Sequence, residues 1–358
     1  MSIPSYNKGE WSEAYVLVKV LADGELAQGN GDLQATDDQA YKVVSVFRND
    51  ADLIRKKYTR IDSNVVISCG LATDLTVNLD QFKKSSLALL KEIQTGQGRS
   101  FSVSQELWTL LNELSITQIK APSTGKTDIE IEINDHFSNI QSVLGFSVKS
   151  RLGNASTLVN ASKATNFRYK VDCTEKQFTA VSSLTKGKDQ IKFLKANNIR
   201  IIFSEVLNTT FSNNLRLIDG DLSEVLAECL VEYFSGAKSK LVDILSAIDL
   251  RNPCDFPLDQ ETSFYVYKLK RYLCESALGM MPNTSWSGRH DATGGYIVVK
   301  ECGELLSYHL LRKNLFEDYL FQNTKFETAS TSRNNFGQVS SNDEGYYVDL
   351  NLQIRFLK

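Results

Sequence analysis

The sequence predicts an α/β protein in which a mixed β-sheet is flanked by helices and followed by a helical and β-hairpin C-terminal region. Polar and apolar residues alternate strictly near residue 130, as in a strand with one buried face. Segments with apolar residues at helical spacing lie on both sides of this strand, and three follow one another after residue 221. With 358 residues, 42% of them hydrophobic, the chain is long enough for one large domain or two.

The N-terminal part begins with an amphipathic segment. Residues 10–21 carry Trp11 and Tyr15 on one face at helical spacing, which predicts a helix. Glu10 and Glu13 lie in its first turns, where glutamates usually complement the helix dipole. Further strands are predicted at 41–47, 65–68 and 116–119, and further helices at 50–58, 79–93 and 104–114.

The alternating segment spans residues 127–150 and predicts a hairpin. The expected pairing places Asp128 opposite Lys149 and Glu130 opposite Ser147, with all four side chains on one face. Two acids and a lysine on one surface can hold a divalent cation and orient a water for phosphodiester cleavage. The same pattern also fits a sheet whose solvated face simply carries alternating charges.

A basic segment follows the hairpin, although the whole chain has a net charge of −3. Residues 146–200 contain 11 lysines and arginines against 3 acidic residues. Lys186, Lys188 and Lys192 share one predicted helix at 185–196, which indicates either a phosphate-facing surface or a solvated helix face. The remaining strands are predicted at 166–171, 199–203 and 346–356, the helices at 222–234, 238–248, 261–278 and 314–321, and a hairpin at 295–310.

Cysteine and histidine spacing argues against a metal module. The six cysteines include no C-x-x-C pair, which favours reduced thiols, and the three histidines lie far apart. The first residues lack an apolar signal segment, and no apolar run approaches the length of a membrane span. We therefore expect a cytoplasmic protein.

Three stretches resemble the HpaII family of type II restriction endonucleases. They are N-K-G-E-W-S-E-A-Y, then T-D-I-E-I-E-I-N-D with L-G-F-S-V-K-S, and D-A-T-G-G-Y-I-V-V-K. The resemblance implies a PD-(D/E)xK nuclease-like mixed sheet and a magnesium cofactor. It also implies double-strand cuts in DNA at CCGG, between the two cytosines, which leave 5′-phosphate ends and defend against foreign DNA.

The motif of this superfamily can be placed on the hairpin. Asp128 matches its first acid and Lys149 its lysine, whereas Ser147 stands where the motif has a second acid. A second carboxylate must therefore come from elsewhere, either across the hairpin or from the N-terminal helix, where Glu13 is preferred. The candidate metal ligands are Asp128, Glu130, Glu13 and Glu10, with the first three and Lys149 as the candidate catalytic residues.

The resemblance also suggests how the chain divides. Residues 1–215 are expected to form the nuclease core and 216–358 a DNA-recognition region that also serves in dimerisation, although no linker marks this boundary. A palindromic target favours a homodimer or successive strand cuts. A G·C-only target presents guanine O6 and N7, which arginine binds with two hydrogen bonds. The candidate DNA-binding residues are Arg151, Asn160, Lys163, Arg289 and Arg333.

Two other functions remain open at this point. A non-catalytic or repair-type DNA-binding protein would account for the basic segment without the acidic strand. A structural or interaction protein would show no salt-dependent affinity for DNA.

Overall fold

We describe the protein from a computed structural model. It describes residues 3–49, 55–70, 73–119, 127–135 and 140–358. The predicted turn of the acidic hairpin lies outside the described residues. None of the described helices has the length and apolar character needed to cross a bilayer.

The first part of the chain alternates helices with the strands of one large sheet. The elements are α1 (Lys8–Asp23), β1 (Glu25–Gly29), β2 (Ala35–Asn49), β3 (Arg55–Ile61), β4 (Asn64–Ser68), β5 (Leu75–Asn78), α2 (Leu79–Thr95), α3 (Gln105–Glu113), β6 (Ile129–Asp135) and β7 (Ile140–Ser150).

The middle part is mostly helical. Its elements are β8 (Thr157–Val159), a 3-10 turn (Lys163–Thr165), β9 (Asn166–Asp172), α4 (Glu175–Ser182), α5 (Gly187–Ala196), β10 (Arg200–Val206), α6 (Thr209–Ile218), α7 (Leu222–Ser235), α8 (Leu241–Arg251) and α9 (Phe264–Leu278). The predicted basic helix is confirmed as α5, and the three predicted helices after residue 221 are confirmed as α7, α8 and α9.

The last part returns to strands. Its elements are β11 (Gly295–Val299), β12 (Leu305–Tyr308), a 3-10 turn (Leu310–Arg312), α10 (Lys313–Gln322), β13 (Thr324–Phe326), α11 (Thr331–Asn334), β14 (Val339–Asn342), β15 (Gly345–Asn351) and β16 (Ile354–Phe356). The predicted hairpin at 295–310 is confirmed as β11 and β12, which pair antiparallel.

The chain folds as two compact units that are interleaved in sequence. The first contains Met1–Ser156, Asp291–Tyr319 and Lys358, and the second contains Thr157–His290 and Leu320–Leu357. The mixed α/β class is therefore confirmed. The predicted boundary after residue 215 falls inside α6 of the second unit.

The first unit is built on a nine-stranded sheet in the order β1-β12-β11-β7-β6-β2-β3-β4-β5. Because β1 also pairs with β2, six of these strands close into a ring, from which β3, β4 and β5 extend. β7 pairs antiparallel with β6 along its first half and parallel with β11 along Phe146–Ser150. The half of β7 that carries the predicted lysine is therefore aligned by β11.

Helix α1 holds the core of this unit together. Trp11, Tyr15 and Val18 are completely buried, and the helix packs against α2 and β7. Its N-terminus is closed by a capping box, in which Glu10 N donates to Asn7 Oδ1 at 3.0 Å and Asn7 N donates to Glu10 Oε2 at 2.9 Å. The capping box fixes the first turn of α1.

The prediction of a helix at 50–58 is wrong for the residues that are described there. Residues 55–58 belong to β3, which pairs with β2 and β4. Lys56 and Tyr58 are its inward residues, and Lys56 is buried because its Nζ donates to Ser115 O at 2.7 Å. A lysine at an inward position conceals the alternation typical of a strand.

The strand predicted at 116–119 is also absent from the described residues. Ile116 and Ile119 are buried, but they anchor a loop after α3 rather than a strand. Ser115 has a left-handed backbone with φ of 58°, and Ile116 N donates to Leu111 O at 2.8 Å. This turn directs the two isoleucines into the core.

The second unit contains two smaller sheets around a central helix. β10, β9, β15 and β14 form an antiparallel sheet in that order, and β13, β16 and β8 form a three-stranded one. Helix α7 packs against α5, α6, α8 and α9 and contacts the four-stranded sheet. Its apolar residues are buried on most of its circumference, which places it at the centre of this core.

Candidate active site

The acidic hairpin forms, but its pairing differs from the prediction. Glu130 lies opposite Gly145 rather than Ser147, and Ile129 lies opposite Phe146. The predicted pairing is therefore displaced by two residues. A residue with a Cβ at position 145 would bring that atom within 2.8 Å of the Thr127 side chain, so glycine is needed at this point of the hairpin. A two-residue displacement keeps every side chain on its predicted face.

Asp128 directly precedes β6, and its carboxylate accepts a backbone hydrogen bond from β7 beyond the start of that strand. Asp128 N donates to Phe146 O at 2.9 Å. Its Oδ2 then accepts hydrogen bonds from Ser147 Oγ at 3.0 Å and from Val148 N at 2.8 Å. The described residues donate no hydrogen bond to Oδ1, so this oxygen is available to a ligand.

Lys149 joins the same hydrogen-bonded group. Its Nζ donates to Ser147 Oγ at 2.7 Å, and Ser147 donates in turn to Asp128. The amine also lies 4.7 Å from the centre of the Tyr296 ring, which comes from the strand opposite Ser147. Ser147 therefore connects the predicted acid and the predicted lysine, at the position where the motif has a carboxylate.

The environment of Lys149 disfavours its charged form. Burial lowers the pKa of Lys149 below its usual value, while the negative charges of Asp128 and Glu13 act in the opposite direction. Glu13 therefore lies close enough to Lys149 to influence its protonation. The structure thus brings together the first acid, the lysine and a glutamate of α1.

Glu13 and Lys149 line a cavity of about 860 Å³. The end of β7 is joined to α1 through the hydroxyls of Ser12 and Ser150, which lie 2.7 Å apart. The cavity wall is mainly polar and includes backbone from several glycines. Its other lining residues include Lys8, Gly9, Glu10, Gly96, Gly98, Arg99, Gly153 and Lys358. A polar cavity with an acid and several cations is suited to a phosphodiester and its counterion.

The other two candidate acids have different surroundings. Glu10 lines the cavity, but its Oε2 accepts the capping hydrogen bond from Asn7 N. Glu130 forms an ion pair with Arg55 at 2.7 Å, and like Asp128 it is not among the residues that line the cavity. Among the described residues, no group of three histidine, cysteine or acidic side chains is arranged to hold a metal ion.

The predicted DNA-binding residues divide between the two units. Arg151 follows β7 in the first unit, where Arg151 N donates to Val299 O at 2.9 Å. Burial raises the pKa of Tyr308 and Tyr319 above their usual range, and the positive charge of Arg151 opposes this rise in both. The arginine is therefore half-buried beside two stacked tyrosines.

The remaining four candidates belong to the second unit and are exposed. Asn160 follows β8, and Lys163 begins the 3-10 turn. Arg289 lies in a loop, where its carbonyl accepts a hydrogen bond from Trp286 Nε1 at 2.9 Å. Arg333 lies in the single turn of α11, which Asn334 N closes by donating to Ser330 O.

Tyr296 is part of the site that sequence reasoning does not find. It is far from Lys149 in the chain, and no spacing rule connects an aromatic residue of one strand with a lysine of another. The stretch D-A-T-G-G-Y-I-V-V-K contains Tyr296 and is the one signal that points to this strand.

The lowered pKa of Lys149 predicts a pH-dependent stability. Between the lowered pKa and 10.5, the unfolded chain keeps a proton on this amine that the folded protein has released. The free energy of unfolding therefore rises with pH across that window. Compared with Lys149→Met, the wild type should gain stability as the pH approaches 10.5. Urea unfolding of both proteins at two alkaline pH values measures this, and a constant difference would contradict it.

Comparison with known proteins shows the family of the chain. The family model described as HpaII restriction endonuclease matches residues 7–356. The chain is 41% identical over 355 residues to the type II restriction enzyme HpaII of Haemophilus parainfluenzae, and the match covers 99% of each chain. No solved structure matches the chain. Since both matches extend over nearly its whole length, the chain belongs to the HpaII restriction endonuclease family of type II restriction enzymes.

Proposed function

We propose that this enzyme makes metal-dependent double-strand cuts in DNA at CCGG, between the two cytosines, leaving 5′-phosphate ends and serving in defence against foreign DNA. The observation that carries the proposal is the hydrogen-bonded group of Asp128, Ser147 and Lys149. Lys149 of this group lines a polar cavity together with Glu13. The CCGG target is supported by the three stretches that resemble the family and by the identity to HpaII over the whole chain.

We also propose that the site is a variant of the PD-(D/E)xK arrangement. Asp128 at the end of one strand and Lys149 on the next correspond to its first acid and its lysine. Ser147 cannot supply a carboxylate, but its hydroxyl accepts from the lysine and donates to the acid. In this proposal it holds the two groups in a fixed relative position, as a buried residue can.

Asp128 and Glu13 are the residues that would hold a magnesium ion. Magnesium prefers oxygen ligands and keeps several waters, so two carboxylates with an open cavity are a suitable donor set. Oδ1 of Asp128 receives no hydrogen bond from the described residues, and Glu13 faces the cavity. A bound ion would neutralise charge on the phosphate and lower the pKa of a water. Glu130 fits less well, because Arg55 already neutralises its carboxylate.

Lys149 supplies positive charge to the cavity. Its amine is held between Ser147 and the ring of Tyr296, so it needs little rearrangement when a substrate arrives. A fixed cation stabilises the negative charge that develops on the phosphate oxygens more strongly than a mobile one. The depressed pKa also makes proton exchange with a neighbouring water easier than for an exposed lysine.

Arg289 is the residue that we propose for reading the target bases. It is exposed in a loop whose shape is fixed by the Trp286 hydrogen bond. Arginine recognises guanine through O6 and N7 together. The region 216–358 would then combine recognition with contacts to a second copy, since a palindromic target favours a homodimer. Arg151 follows the catalytic strand and is proposed to contact the scissile region.

Replacement of Arg289 tests base recognition. We expect Arg289→Ala to weaken CCGG binding by about 1–3 kcal/mol and to leave binding to unrelated duplexes nearly unchanged. Competition binding with both duplexes, in the absence of divalent metal, separates these effects. An equal loss on both duplexes would make Arg289 a phosphate contact instead.

The function itself is tested with plasmid DNA. Purified protein should convert a plasmid that contains CCGG sites to fragments when magnesium is present and should leave it intact when magnesium is chelated. Sequencing of the fragment ends checks the position of the cut. Binding without cleavage would favour a non-catalytic or repair-type DNA-binding protein, and absence of salt-dependent binding would favour an interaction protein.

A further inference from the structure

Two exposed cations of the second unit lie in short polar segments. Lys163 begins the 3-10 turn and Arg333 lies in α11, and neither forms an ion pair with a described residue. Some other cations of this unit are paired with acids. Ion pairs join Arg168 to Asp349, Arg251 to Glu232, Lys268 to Asp219 and Arg355 to Glu327.

The segments that carry these two cations contain no acidic residue. Residues 160–165 read N-A-S-K-A-T and residues 328–335 read T-A-S-T-S-R-N-N. Hydroxyl and amide groups make up most of the other side chains. This composition offers hydrogen-bond donors and positive charge together, which is the combination that binds phosphate oxygens.

A buried pair of asparagines connects the two segments. Asn166 and Asn351 lie opposite each other in adjacent strands, and Asn351 Nδ2 donates to Asn166 Oδ1 at 2.6 Å. Asn351 Nδ2 also contacts Ser162 O at 2.7 Å, next to Lys163. Both asparagines are almost completely buried, so their hydrogen bonds are protected from competition by water.

The other asparagine extends the connection to α11. Asn166 Nδ2 donates to Asn334 O at 2.9 Å, directly after Arg333. Asn334 Nδ2 donates back to Ser330 O at 3.1 Å, which closes the turn. The backbone next to each cation is therefore held by the same buried pair, and both cations emerge at the same end of the four-stranded sheet.

We infer that residues 160–165 and 328–335 form one surface that contacts the DNA backbone, positioned by the Asn166–Asn351 pair. We call it the Lys163–Arg333 surface. The inference rests on the proposed function, since it assigns a role in binding the DNA that the enzyme cuts. It assigns phosphate contact rather than base reading to Arg333, because serines and a threonine surround this residue and a lysine accompanies it.

The salt dependence of DNA binding tests this surface. Each phosphate contact contributes about 0.9 to the slope of the logarithm of affinity against the logarithm of salt concentration. Lys163→Ala and Arg333→Ala should each reduce the slope by about 0.9, on CCGG and on unrelated duplexes alike. Arg216→Ala is the matched control, because Arg216 is an exposed cation of α6 in the same unit and lies outside both segments. The slope for this variant should equal that of the wild type. Binding is measured with metal chelated.

The outcomes distinguish failure of the Lys163–Arg333 surface from failure of the proposed function. If the wild type cleaves DNA with magnesium and both variants keep the wild-type slope, the surface is wrong and the function stands. If Arg333→Ala weakens only CCGG binding, Arg333 reads bases and the inference fails. If the wild type neither binds nor cleaves DNA, the proposed function has failed first.

The role of the asparagine pair has a separate test. Asn166→Ala removes the hydrogen bond to Asn334 O and should reduce the slope as much as Arg333→Ala does. Adding Arg333→Ala to Asn166→Ala should then change the slope little, whereas adding Lys163→Ala should reduce it further. Additive losses for Asn166→Ala and Arg333→Ala would contradict the positioning role. Thermal unfolding checks that each variant is folded. If Asn166→Ala does not fold, Lys163→Ala and Arg333→Ala still test the surface.

Discussion

Lys149→Ala and Asp128→Ala are each expected to lower the rate of DNA cleavage by at least about a hundredfold, because each removes a group that acts mainly in the transition state. Without Lys149, the cavity loses the cation that Ser147 and Tyr296 hold in place. Without Asp128, the hydrogen-bonded group loses the carboxylate that Ser147 Oγ and Val148 N hold in place. Single-turnover cleavage of a CCGG duplex by saturating enzyme measures the chemical step directly.

Controls separate this loss from unfolding and from weak binding. Both variants should bind the CCGG duplex nearly as well as the wild type when metal is chelated. Lys91→Ala removes an exposed lysine of α2 and should cleave at the wild-type rate. Lys149→Arg keeps the charge but not the shape that fits between Ser147 and Tyr296, so it should remain impaired. Normal cleavage by Lys149→Ala or Asp128→Ala would remove the hairpin from the active site.

Glu13→Gln is expected to raise the magnesium concentration needed for half-maximal cleavage by at least about tenfold, because one carboxylate alone seldom fixes this ion and the ion supplies several kcal/mol of transition-state stabilisation. Glutamine keeps the size of the side chain and removes its charge. Glu130→Gln should keep the wild-type magnesium dependence, since Glu130 is paired with Arg55 outside the cavity. Cleavage rates across a magnesium titration measure all of these variants.

Glu10→Gln is the matched variant for Glu13, because both residues line the cavity from the same helix. Glu10 takes part in the capping box, where glutamine can accept the same hydrogen bond, so Glu10→Gln should leave both the stability and the magnesium dependence nearly unchanged. A raised requirement in Glu130→Gln alone would support a ligand that reaches across the hairpin. Wild-type behaviour in all three would mean that the second ligand lies elsewhere.

Much of the fold can be predicted from the sequence where the apolar residues recur at a single spacing, either that of a helix or that of a strand. Helix α1, the strands of the acidic hairpin and the three helices after residue 221 are all predicted close to their observed bounds. Strand β1 is not predicted, because its Gln28 is completely buried and hydrogen-bonded to Ser307 O at 3.0 Å. A buried polar residue in a short strand removes the alternation on which the prediction depends. The closure of the ring of strands through β1 therefore cannot be predicted from local sequence patterns.

The candidate site shows the same limit. Asp128 and Lys149 are predicted because the motif places them, and Glu13 because such sites need a second acid. The pairing of the hairpin is predicted incorrectly, since the packing of Gly145 against Thr127 is a tertiary contact. The contribution of Tyr296 depends on a parallel pairing between distant segments, which no short-range rule describes. Residues brought together by long-range pairing are those that sequence reasoning misses.

The pairing of β7 with β11 has a consequence for how the enzyme is made. The stretch Phe146–Ser150 takes its backbone partners on one side from Gly295–Val299, which the ribosome adds much later. Until then, this stretch is an open edge and Lys149 has no aromatic ring beside it. Such distant contacts form late, because the intervening chain must first be brought back to the sheet. A nascent chain that has already exposed Asp128 and Lys149 therefore lacks an ordered lysine in the candidate site, and under the proposed function it becomes able to cleave DNA only when synthesis is nearly complete.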